Sequence, residues 1–163
     1  MKHLLWLLLW NILFLKGANS QYMKESLLQK IDCVTDEATL SRQKVEQCLG
    51  LRLTLDKKMS EQQGMQIYEL AADNILPAFS KVELRIFGLE PSFLLLLYPD
   101  PPVGIALQQM KEIFSFESFV AGNKRRNELP GHLFSRNGFK VGFYYDTPLK
   151  NVGLVTVRGT LSP

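Results

Sequence analysis

The six residues from Phe93 to Tyr98 are all apolar and lie between two breaks, Gly88-Leu89-Glu90-Pro91 and Pro99-Asp100-Pro101-Pro102. A short, uninterrupted apolar run is expected of a strand with neighbours on both sides and cover on both faces. Side chains alternate along a strand, so Phe93, Leu95 and Leu97 form one set and Leu94, Leu96 and Tyr98 the other. An uncovered set would make a patch that soluble monomers rarely tolerate without a use. Either the chain's own N-terminal helices or a partner protein must supply the second cover. Leu94, Leu96 and Tyr98 are the candidate partner-binding residues.

The remaining segments read as a mixture of helix and strand. Residues 22–34 carry apolar side chains at helical spacing, and Thr35-Asp36-Glu37 has the character of a helix start, giving a second helix over about 36–48. Leu49 to Asp56 alternates apolar and polar, the period of a half-buried strand. Ser60-x-x-Gln63 has the form of a capping box, predicting a helix to about Asn74 that Pro77 ends. Val82, Leu84 and Ile86 alternate with charged residues, as on an edge strand with one polar face. A helix is expected from Gly104 to Phe119, a loop over 121–138, and two closing strands over Phe139–Tyr145 and Val152–Arg158. The fold class is therefore α+β: an N-terminal helical segment over 21–48, then a single domain over 49–163. Its order, βαββαβ with one added strand, is that of the split β-α-β, ferredoxin-like architecture.

The chain begins like a secretory precursor. Met1-Lys2-His3 is a short basic start, Leu4–Leu15 an apolar run, and Ala18-Asn19-Ser20 places small residues before a cut at Gln21. Twelve residues of helix cover about 18 Å, short of the ~30 Å core of a bilayer. No other run is long enough to span, so the mature chain is expected to carry no transmembrane segment and to be secreted. Removing residues 1–20 leaves about 140, one ordinary domain that needs no metal to hold it together. Of the 163 residues, 46% are hydrophobic and 21% charged, which excludes disorder and collagen. The formal charge of +3 loses Lys2 and Lys16 with the leader, and near neutrality does not imply nucleic acid.

Cys33 and Cys48 are expected to form a disulfide in an oxidising compartment. One continuous helix would hold their alpha carbons about 22 Å apart, far beyond the ~7 Å that a disulfide bridges. Residues 34–41 must therefore form a real loop, or the cysteines bond to other chains. A structural staple is expected, since no Cys-x-x-Cys or nearby histidine lowers a thiol pKa.

Little else could carry chemistry. His132 is the sole histidine of the mature chain, and neither a nucleophile frame nor an orienting carboxylate accompanies it. No ligand spacing of His, Cys, Asp or Glu suggests a metal, and no glycine-rich loop opens a helix to hold phosphate. No catalytic residue and no cofactor are assigned. Lys124-Arg125-Arg126 is a possible processing site in a loop, and Phe114, Phe116 and Phe119 are an aromatic group expected mainly in the core. By elimination, the expectation is a secreted, non-enzymatic protein that binds another protein. The alternatives are a small extracellular carrier of an apolar ligand and a precursor cut at Lys124-Arg125-Arg126.

Overall fold

The computed structural model describes residues 26–38, 40–73, 78–88, 92–123, 128–146 and 151–160. Helix α1 (26–35) and helix α2 (Arg42–Leu49) come first, then β1 (Leu53–Leu55), α3 (Lys57–Gln63) and β2 (Gln66–Leu70). They are followed by β3 (Phe79–Phe87), β4 (Ser92–Pro99), α4 (Leu107–Ile113), β5 (Ser115–Val120), β6 (Gly131–Arg136), β7 (Phe139–Tyr145) and β8 (Val152–Thr160). All eight strands join one antiparallel sheet in the order β1-β2-β3-β4-β8-β7-β6-β5. Two four-strand meanders thus meet where β4 pairs with β8. The link from β4 to the far edge is anchored by Val103 and Val152, which exchange backbone hydrogen bonds of 3.2 and 2.8 Å.

The ferredoxin-like expectation is overturned by this sheet. Three local features account for the difference. First, the expected helix over 60–74 is only α3: Gly64 adopts φ 63°, a left-handed stop, and β2 follows. Its cap is Asp56, which accepts from Met59 N at 2.9 Å, while Ser60 Oγ serves Asp56 O and Ile67 N instead of capping. Second, the helix expected over 104–119 ends at Ile113, and Ser115–Val120 is strand β5. Third, residues 131–136 of the expected loop are β6, joined to β7 by Asn137 and Gly138 with φ 48° and 86°. This is the left-handed pair that a tight hairpin requires. The charged 82–86 segment also belongs to an interior strand, β3, between β2 and β4, whereas β1 and β5 lie at the ends of the sheet.

The apolar run of β4 does lie centrally, paired with β3 and β8. Phe93, Leu95 and Leu97 are fully buried, and they share one continuous core with Leu27, Leu28, Ile31 and Val34 of α1 and Val45 and Leu49 of α2. The N-terminal helices are therefore the cover for this set. Leu94, Leu96 and Tyr98 are half-buried on the opposite face. There Leu94 lies between Arg85 and Arg158, and Leu96 between Glu83 and Thr156.

Of the two outcomes the cysteine spacing allows, the structure has the loop, and helices α1 and α2 are tied together within one chain. The chain bends over residues 36–38, Ser41 caps α2 by accepting from Lys44 N at 3.1 Å, and Cys33 bonds Cys48 with alpha carbons 5.6 Å apart. The start expected at Thr35 is instead the buried end of α1, where its hydroxyl donates to Ile31 O at 2.9 Å. Lys30 Nζ donates to Leu49 O at 2.7 Å, supplying a cation to the C-terminal carbonyls of α2. Asn137 closes the assembly from the hairpin, its amide donating to Thr35 O and Asp36 O at 2.8 and 2.9 Å.

Candidate functional site

The helix-facing side of the sheet is covered over β3, β4, β8 and β7, and it becomes progressively more exposed toward β5. Phe143 and Phe134 are fully buried, His132 is half-buried, and Phe116 and Phe119 on β5 are 43% and 49% exposed. These rings form a continuous chain. Phe134 lies 5.6 Å from Phe143 and 5.6 Å from Phe116, while His132 lies 5.9 Å from Phe116 and 5.2 Å from Phe119. Phe116 and Phe119 are three residues apart yet share a face, because a bulge takes up Glu117 between their pairings with Phe134 and His132. No strand pairs with the free side of β5 among the described residues.

Three polar groups complete this edge. Tyr145 Oη and His132 Nδ1 are 2.7 Å apart, with the two rings edge to face. Burial pushes the Tyr145 hydroxyl above its ordinary pKa. Burial, and then the nearby Lys111 ammonium, hold His132 below the ordinary histidine value. Lys111 Nζ in turn sits 5.0 Å above the Phe116 ring, a cation–π arrangement. At neutral pH His132 is thus an uncharged ring in an aromatic cluster, next to one exposed cation.

The opposite face has a different character. Glu83, 4% exposed, lies between Lys81 at 2.7 Å and Arg85. Burial alone would raise its pKa, but the hydrogen bonds from Lys81 and Arg85 leave it below the ordinary carboxylate value. The Tyr144 ring rests over Gly142 and Gly131, where an added Cβ would come within 2.6 and 2.7 Å of it. On this face Leu94, Leu96 and Tyr98 are hemmed by charged and hydroxyl neighbours, and none of them is among the large apolar residues exposed to solvent.

The structure therefore separates residues that the sequence grouped. Phe114 packs in the core at 2% exposure, whereas Phe116 and Phe119 stand at the surface. His132 belongs to a strand, not a loop, and Ser135 lies on the other face, paired with Lys140. The hydrogen-bond partner of His132 is Tyr145, not Ser135, and no cluster of three possible metal ligands exists among the described residues. Lys124, Arg125 and Arg126 lie outside the described residues, between Asn123 and Glu128, whose backbones bridge each other. Residues 1–20 also lie outside them, and no described helix is long and apolar enough to cross a membrane.

The aromatic edge was missed from sequence because 104–119 read as a helix. The signal was present in the Asn137-Gly138 pair flanked by alternating apolar residues, which announces a hairpin and hence a β6 needing a neighbour. Fold and site together define a disulfide-tied, antiparallel-sheet protein with an aromatic sheet edge. No protein family, curated protein or solved structure matches the chain.

Proposed function

We propose that this is a secreted, non-enzymatic protein that binds another protein, and that β5 is the binding edge. The partner presents an extended apolar segment, which adds as a strand beside Ser115–Val120 and seats side chains on Phe116 and Phe119. The observation that carries this reading is the exposure of both rings on a terminal strand. Strand addition uses the unpaired backbone groups of such an edge, and aromatic anchors supply much of the energy in protein interfaces. The leader over 1–20 and the Cys33–Cys48 bridge support an extracellular site of action.

The test compares proteins that co-purify with the tagged secreted chain and with two variants. Phe116→Ser with Phe119→Ser should abolish specific recovery of the partner while the protein still folds. Leu94→Lys, on the other face, should leave recovery intact. The reverse pattern would move the binding surface to Leu94, Leu96 and Tyr98.

A further inference from the structure

We propose that His132 is a pH-sensitive latch on the β5 edge: neutral, it holds Phe116 and Phe119 in place, and protonated, it releases them. This rests on the reading of β5 as the binding edge. The argument begins with Tyr145. Tyr145 is 4% exposed, and His132 Nδ1 is the hydrogen-bond partner found for its hydroxyl among the described residues. A buried phenol proton needs an acceptor, which assigns neutral His132 the tautomer protonated at Nε2. Protonation then fills Nδ1. The bond to Tyr145 must reverse, and the phenol proton loses its acceptor.

The surroundings oppose the charge as well. The titratable groups facing the ring are Lys111 from α4 and Tyr145 from β7; neither is an anion at neutral pH. The strands β5 and β6 present only Phe116, Phe119 and Phe134 to it. Among the described residues, no carboxylate contributes to the charge environment of the ring. Turning the ring out to water relieves the burial and the repulsion together. That motion removes the surface on which Phe119 lies, at 5.2 Å, and one of the two rings supporting Phe116. The β5 strand has little else to hold it: among the described residues it has one strand neighbour, and five of its six residues are exposed. Local opening at low stability is the kind of event that one proton can bias.

The test uses the mature, disulfide-intact chain. Backbone hydrogen exchange is measured at about pH 7.5 and about pH 5 and converted to protection factors, which removes the intrinsic pH dependence of exchange. Protection of residues 115–120 should fall severalfold at the lower pH in the wild type and stay level in His132→Gln. Lys111→Gln, an exposed change, should shift the midpoint to higher pH, and the NMR titration of His132 should share that midpoint. Equal protection at the two pH values, or the same fall in His132→Gln, would overturn the latch. Binding and latch fail separately. A level β5 with partner recovery still dependent on Phe116 and Phe119 rejects the latch alone. A titrating β5 whose serine variants recover the partner normally rejects the binding edge and keeps the latch.

Discussion

Gly131 and Gly142 show how much a single hydrogen in place of a side chain can decide. At Gly131 a Cβ would lie 2.6 Å from the carbonyl oxygen of Phe143, a backbone atom that cannot step aside. Gly131→Ala should therefore destabilise the protein by about 1–3 kcal/mol, the usual penalty of overpacking. Gly88→Ala meets nothing within 4 Å and should be near neutral, so denaturant midpoints of the two variants make a direct comparison. Glu83 is the matching polar case. Glu83→Gln removes the charge that neutralises Lys81 and Arg85, and a loss of about 1–3 kcal/mol is expected in the same measurement. The Gly131 effect depends on what the next strand places opposite it, whereas the partners of Glu83 lie two residues away on its own strand.

Among elements, α1 and α2 are the pair joined by a covalent bond. Its disulfide closes a separation of 15 residues, and the double change Cys33→Ser with Cys48→Ser should cost about 3 kcal/mol. Asn137→Gly keeps the left-handed turn but deletes both hydrogen bonds to the end of α1. A smaller loss of about 1–2 kcal/mol is expected in thermal or chemical unfolding. Strand β4 offers the sharpest contrast in the sheet. Leu95→Ala opens a cavity at a fully buried site and should cost about 2–5 kcal/mol, whereas Leu96→Ala on the half-buried face should cost clearly less. Elements defined by local pattern were legible in the sequence: the β4 run, the two N-terminal helices, the loop that the cysteine spacing demanded, and the last two strands. Elements defined by a stop were not. The windows over 60–74 and 104–119 have apolar residues at spacings that suit a helix. Gly64 and the pairing of Ser115–Val120 with β6 end the two helices, and the second of these acts only once the sheet exists.

At the scale of the whole molecule, acid should act in two stages. The folded state holds His132 below the 6.5 of the free side chain, so the unfolded chain binds the proton more readily. That contribution is complete above 6.5 and is lost as the pH falls from there. Glu83 is held below the free value of 4.5, so its contribution persists above 4.5 and is lost as the pH drops further, through its depressed value. Melting midpoints measured against pH should decline in both ranges, and His132→Gln should flatten the first. A midpoint that rises on acidification toward pH 5 would contradict the burial of that ring. The division between sequence and tertiary structure follows from the range of the interactions involved. Residues close along the chain determined by themselves that Phe93–Tyr98 is an interior strand and that Cys33 and Cys48 can meet only across a loop. The order of the eight strands, the interior place of the charged β3 and the exposure of Phe116 and Phe119 were decided by tertiary structure alone. Those outcomes depend on which strand hydrogen-bonds to which, and backbone pairing between distant segments leaves almost no mark on the local pattern of side chains.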